Sequence, residues 1–410
     1  MDLISIKKKC SSLLPYTYGF FLGAFFLAPS SKSLNNLFYL TVLAPALPLF
    51  WDQFSKLFKN NIPFRIIVFF ILYCSLSVFW SPTSDFGKSL RIFRHAIYPL
   101  IFTSITIHLF ETKPNAFEKI LTWLIVAAVI GAAVNIFMWY KDNPFPNSRM
   151  VGWGRIDNPI VLGCSYGLVA IITAARAFKA TARTNIFIYL TATIALFIFI
   201  NLTQSRLALI SLFITLLAIV VLRLNRKTVI FLITAVMTTA IFLLLEPELL
   251  QRYLDKTALE RFFIWKQVFF ISMDKPFFGH GILDRASASV HGITYRTPHS
   301  IYIGTFFYFG IFGMLTLIYI IFSALRLAFN YAKQSKDYVL FLLCIFGLLC
   351  LAGDFGILLD HPSGPWLLFW LPISLAVSQS KRNEKAGQRT SSFDIALNSK
   401  ATIDKSSEKS

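Results

Sequence analysis

Of the six histidines, His299 has the setting best suited to proton transfer. It stands in Thr297-Pro298-His299-Ser300, directly before a long apolar run, so its ring falls at a boundary between water and an apolar phase. A free imidazole titrates near about pH 6.5 and is largely neutral at pH 7, so it can serve as a general base there. A histidine at a helix entry is also often structural, and residue type alone leaves both readings open. Nine residues beyond Ser300 comes Gly310-Ile311-Phe312-Gly313. Arg206 is the second candidate, in Thr203-Gln204-Ser205-Arg206-Leu207 between two apolar runs. An arginine so placed is costly unless it snorkels or meets a counter-ion. Its planar fork is the side chain that grips phosphate bidentately.

The stretch from Glu246 to His299 adds Arg252, Lys256, Arg261, Lys266, Lys275, Arg285 and Arg296. Cations beside a membrane invite an anionic partner, and lipid headgroups alone would attract each by about 1 kcal/mol. The other histidines carry weaker signals. His95 and His108 lie in an apolar run and read as helix-packing residues, His280 sits in the turn-like Gly279-His280-Gly281, and His291 is an isolated loop residue. His361 follows Asp360 and precedes Pro362, so an Asp–His contact is available but unspecific. The five cysteines, Cys10, Cys74, Cys164, Cys344 and Cys350, form no CxxC pair and read as small buried hydrophobes.

The elements that must position these residues follow from composition. The 410 residues are 56% hydrophobic and only 14% charged, with a mean hydropathy of +0.63. Such a chain cannot cover its apolar surface in water, which excludes a soluble enzyme, a disordered protein and a coiled coil. Apolar runs long enough for helical spans recur along nearly the whole length. The expected fold is an all-α polytopic membrane protein with about twelve transmembrane helices: 13–29, 34–51, 64–80, 92–110, 120–140, 159–175, 185–202, 206–222, 228–245, 300–325, 338–358 and 365–379. Pro45 and Pro48 predict a kink in the second, and Gly163, Ser165 and Gly167 dilute the sixth.

The net charge of +19 would point to nucleic acid in a soluble protein. Here it reads as the topogenic excess of cytoplasmic Lys and Arg, with no nucleic-acid partner. Lys7, Lys8 and Lys9, then Arg176, Lys179 and Arg183, then Arg223, Arg226 and Lys227 mark alternate connections. That pattern puts both termini in the cytoplasm and the 246–299 loop outside. The first apolar run is expected to remain as an uncleaved span, because Pro29 lies beside the only cleavage-like site. Within the loop, Phe262, Trp265 and Phe269 have the spacing of an amphipathic helix. A second external loop, 141–158, holds Arg149, Arg155, Asp157 and Asn158. Residues 1–379 form one transmembrane domain, with a polar, disordered cytoplasmic tail over 380–410.

Together these residues form a recognisable pattern. His299-Ser300-x9-Gly310-x-x-Gly313 resembles the H-[NSQ]-x9-G-x-x-[GTY] motif of the O-antigen ligases. Thr203-Gln204-Ser205-Arg206 resembles the Arg stretch that opens the ligase/polymerase region, and Glu260-Arg261 with Trp265 resembles its second Arg. The ordered set covers roughly 200–315, and Ser300 stands where the family usually has Asn. The resemblance implies a membrane glycosyltransferase architecture (GT-C-like) in the bacterial inner membrane, with its site facing the periplasm. The implied donor is an O-antigen glycan on undecaprenyl diphosphate, and the acceptor a sugar hydroxyl of lipid A–core. His299 would be the base, and Arg206 and Arg261 would hold the diphosphate. Arg155, Lys266, Arg285 and Arg296 are supporting candidates. No cofactor is implied. No metal is expected either, since the first external loop, Ala28 to Asn36, has no Asp or Glu to hold one. The nearest alternative is an O-antigen polymerase on the same scaffold. A transporter or flippase of an anionic lipid-linked glycan is less favoured, because neither polar groups near mid-span nor an internal repeat is evident.

Overall fold

The computed structural model describes residues 3–83, 85–145, 148–154, 156–222, 226–245 and 257–380. Arg155, Arg223, Arg252, Lys256 and the tail after Ser380 lie outside the described residues. Among the described residues the protein is all-α apart from one short hairpin. In chain order the helices are α1 (Leu3–Leu27), α2 (Ser31–Asn60), α3 (Ile62–Trp80), α4 (Phe86–Thr112), α5 (Pro114–Tyr140), α6 (Pro159–Lys179), α7 (Arg183–Leu202), α8 (Arg206–Leu222), α9 (Arg226–Leu245), α10 (Thr257–Ser272), α11 (Ile301–Ser335), α12 (Val339–Gly353) and α13 (Trp366–Val377). The hairpin, β1 (Ala288–Val290) and β2 (Ile293–Tyr295), lies between α10 and α11.

Each of the twelve expected spans falls on a helix, and α10 is the additional one in the long loop. Among the described residues seven helices are long and apolar enough to cross a membrane, and α8, α12, α13 and the Leu232–Ile241 part of α9 are shorter apolar helices. Large apolar side chains such as Leu40, Phe69, Phe187 and Val221 stay exposed on the outer faces, as lipid-facing positions require. The kink expected in α2 takes the form of a π-helical stretch over Phe38–Leu43, just before Pro45, where a wide turn accommodates a residue without an N–H.

Helix α6, the run most diluted in hydropathy, is the most enclosed of the long spans, with 83% of its apolar window buried. Its small residues allow close packing rather than weaken a span. A Cβ on Gly163 would lie 2.9 Å from both Ala208 Cβ and Thr203 Oγ1, so α6 abuts the turn that opens α8. Gly347 of α12 lies against the backbone of α13, where a Cβ would be 1.8 Å from the Leu368 carbonyl oxygen. The rings of Phe21, Phe38 and Phe102 surround Trp366, with centroids 6.1, 5.1 and 4.9 Å away, and join α1, α2 and α4 to the start of α13.

Helix α11 is broken at Gly310, whose φ of 63° and ψ of −161° are unavailable to a residue with a side chain at little cost. The carbonyls freed there are taken by the loop after α10. The His280 and Gly281 N–H groups donate to the Phe307 and Tyr308 carbonyls (2.8 and 2.9 Å), and the Ile311 N–H donates to Pro276 (2.8 Å). The Tyr73 hydroxyl satisfies Phe309 at 2.9 Å. Irregular backbone at membrane depth is tolerated only when buried in protein in this way.

Candidate active site

The turn between α7 and α8 presents Arg206. Gln204 adopts a left-handed φ of 50°, and the Ser205 hydroxyl accepts the Ala208 N–H at 3.4 Å as a cap. Arg206 is thereby the first residue of α8, where the positive end of the helix dipole adds to its own charge. Arg149 also reaches this turn, donating from Nε to the Thr203 carbonyl at 3.3 Å. Arg149 belongs to the 141–158 loop, and nothing in the sequence ties it to Arg206.

The long loop presents the other two residues. The amphipathic spacing of Phe262, Trp265 and Phe269 falls on a helix, as expected, but does not say which face is buried. Helix α10 forms, but its buried positions are Ile264 (1% exposed) and Val268 (0%), whereas Phe262 is 57% exposed. The helix is apolar on more than one side, so spacing alone could not choose the face. Arg261 donates through a terminal guanidinium nitrogen to the Gly353 carbonyl, at the end of α12. Glu260 accepts from the Tyr295 hydroxyl at 3.2 Å, and the Trp265 indole donates to the His299 carbonyl at 3.4 Å. Burial and the Glu260 carboxylate together raise the Tyr295 phenol above its ordinary range, so it stays a donor. Gln267 pairs with the Ser289 backbone in both directions (2.8 and 3.0 Å), which fixes the hairpin on α10. The hairpin turns at His291-Gly292, both at positive φ, as a two-residue turn of this kind requires.

His299 is held in a left-handed conformation (φ 47°) just before the N-cap Ser300. Its Nδ1 lies 3.0 Å from Asp354 Oδ1. Asp354 follows Gly353 at the end of α12 and is 7% exposed. The carboxylate selects the tautomer that carries its proton on Nδ1, which gives Nε2 the lone pair. Gly353 is also where α8 docks, since a Cβ there would be 2.5 Å from Leu207 Cδ1. The Gly353-Asp354 corner thus touches Arg261, His299 and the residue after Arg206.

Asp354 is the participant that sequence reasoning missed. The eleventh expected span, 338–358, carries Asp354 inside it, but α12 ends at Gly353. The signal was available: an acid inside an apolar run is a functional candidate by default. Lys266, Arg285 and Arg296 are exposed positions on α10, before β1 and after β2, and none is tied to His299 among the described contacts. His280 is a structural clamp. Its Nε2 meets the Ile271 carbonyl at 3.0 Å, its Nδ1 is 3.3 Å from Asp284, and its ring stacks on Phe307 at 4.5 Å.

These residues occupy one side of the bundle, at the start of α6, α8 and α11 and the end of α12. A groove of about 320 Å³ lined by Glu118, Arg176 and Asp337 lies at the opposite helix ends and takes no part in this site. The molecule is therefore a multi-pass helical membrane protein with a His–Asp pair and arginines gathered at one end. Residues 191–318 match the family model of O-antigen ligase, so the chain carries a domain of the O-antigen ligase/polymerase family, whose members are membrane glycosyltransferase-like enzymes. The match includes Arg206, Arg261, His299, Gly310 and Gly313 and stops short of Asp354. A comparison with curated proteins finds no match.

Proposed function

We propose that the protein is an O-antigen ligase, transferring a glycan from undecaprenyl diphosphate to a sugar hydroxyl of lipid A–core at the periplasmic face of the bacterial inner membrane. The observation that carries this reading is the 3.0 Å His299–Asp354 pair beside the carbonyl that Arg261 holds. The acceptor oxygen attacks the anomeric carbon of the donor, its proton passes to His299 Nε2, and the bond from that carbon to the diphosphate oxygen breaks. Arg206 and Arg261 stabilise the charge that develops on the departing undecaprenyl diphosphate. Asp354 stabilises the imidazolium that forms and keeps the ring oriented. The donor is already activated, so no nucleotide enters the step, and the guanidiniums serve where other transferases use a metal at the diphosphate. Both termini lie in the cytoplasm, and residues 1–379 act as one transmembrane unit with the tail outside it. Lys266, Arg285 and Arg296 lie farther out, toward lipid headgroups and glycan, and Arg155 is a further supporting candidate.

Deleting the gene and analysing both lipid pools tests the reading. A ligase mutant accumulates polymer on the undecaprenyl carrier and leaves lipid A–core bare. Core capped with single repeats in the mutant would identify a polymerase instead.

A further inference from the structure

A second cluster of chemically capable side chains lies outside this site. His95 extends from α4, and Asp360 and His361 extend from the segment joining α12 to α13. His95 Nδ1 is 3.4 Å from Asp360 Oδ1, and His361 Nδ1 is 2.5 Å from the same oxygen. One ligand atom from each residue falls within 4.8 Å of the others. The two imidazole rings are 5.8 Å apart, centroid to centroid. All three side chains are partly open to solvent, at 17, 40 and 28% exposure.

We propose that His95, Asp360 and His361 form a binding site for a divalent transition-metal ion, Zn²⁺ in the first place, that fastens the α12–α13 segment to α4. Two imidazoles and a carboxylate make up a common three-ligand protein set for zinc, with the fourth position left to water. Ligands about 2.1 Å from a tetrahedral ion stand about 3.4 Å from each other. The His95–Asp360 separation already has that value, and the His361–Asp360 contact must widen. The backbone is braced for the load, because the Trp366 indole donates to the Asp360 carbonyl at 3.1 Å and Trp366 is fully buried.

The surroundings also select the ion. Arg91 and Arg94 lie on α4 close enough to act electrostatically on His95. Their positive charge disfavours Mg²⁺ or Ca²⁺, which bind by charge to oxygen, more than an ion bonded to imidazole nitrogen. The segment that this ion would fasten begins at Asp354, so occupancy would steady the carboxylate that faces His299. The ion is not assigned to the diphosphate, and the site stands whether or not the chain is a ligase.

The test uses the full chain in detergent, stripped with chelator and titrated with Zn²⁺. One ion per chain is expected, with at least tenfold weaker binding in His361→Ala and His95→Ala and none of that loss in His291→Ala. Co²⁺ should give the visible absorption of a low-coordinate nitrogen–oxygen site in the wild type and not in His361→Ala. Zn²⁺ should also shield His95 and His361 of the wild type from diethylpyrocarbonate, a reading that needs no variant to fold. A wild type that takes up no stoichiometric Zn²⁺ would overturn the proposal. So would variants that keep wild-type affinity, or modification of His95 and His361 unchanged by Zn²⁺.

Discussion

Asp354 Oδ1 lies 3.0 Å from His299 Nδ1, although the two residues are 55 positions apart and sit on different helix ends. The pairing gives the imidazole both an orientation and a tautomer. It also converts a histidine that residue type leaves ambiguous into one arranged to accept a proton on Nε2.

Asp354→Asn should therefore cost far more in turnover than in donor binding. An amide can present its NH₂ to Nδ1 and favour the wrong tautomer, and such a change costs up to about 10⁴-fold in kcat in a comparable triad. Steady-state transfer assays with purified donor and acceptor read the split. A variant with unchanged kcat would show that the carboxylate serves packing only.

Arg206→Ala and Arg261→Ala should abolish or severely reduce transfer while the protein still inserts. Lysine restores a point charge but not the bidentate fork, so Arg206→Lys should remain impaired. Arg261→Lys should be impaired twice over, because Arg261 also donates to the Gly353 carbonyl that positions Asp354. Wild-type rates in both alanine variants would reassign these residues to lipid headgroups.

Gly310→Ala should destabilise the fold rather than alter chemistry. A Cβ there would be 2.3 Å from the Phe277 carbonyl oxygen, and the residue holds a φ of 63°. Strain at such a position costs on the order of 1–3 kcal/mol before the clash is added. Lower yield and a reduced thermal midpoint in detergent are expected, and Gly292→Ala, with nothing within 4 Å of its Cβ, should show strain alone.

Helical architecture was legible in the chain because hydropathy and length speak directly to span formation, and each of the twelve runs is a helix. The motif from His299 to Gly313 was also legible, but its physics was not. Gly310 marks the break in α11 and Gly313 lies where a Cβ would be 2.3 Å from Phe309 Cβ, so both glycines shape backbone and packing. Asp354 was hidden because a window average dilutes one acid among many apolar neighbours. The buried face of α10 was hidden because both of its sides are apolar. His95 read as a packing residue, and only the folded chain brings it to Asp360 and His361.

Orientation in the membrane is open to a direct measurement. Lys and Arg cluster on alternate connections, so reporter fusions after Lys227 should read cytoplasmic and those near Arg285 periplasmic. A cytoplasmic reading at Arg285 would put the His299 site on the wrong face for a periplasmic acceptor.

His299→Ala carries the most weight. The acceptor hydroxyl must lose its proton as it attacks, and a positioned base typically contributes about 10²–10⁴-fold. At 1.36 kcal/mol per tenfold, the variant should lose about 3–5 kcal/mol of transition-state stabilisation. Donor binding should be nearly unchanged, since the proposed function gives that task to Arg206 and Arg261. His291, exposed at the hairpin turn, is the proper control and should be mild when changed to alanine. His280→Ala is not an equivalent control, because that ring is clamped between Ile271, Asp284 and Phe307 and its loss should lower stability. The sign of the pH dependence follows from the role: a base works unprotonated, so the wild-type rate should fall as acid protonates the imidazole. Transfer at the wild-type rate by His299→Ala, at equal expression, would leave the proton with another acceptor and reduce His299 to a helix-entry residue.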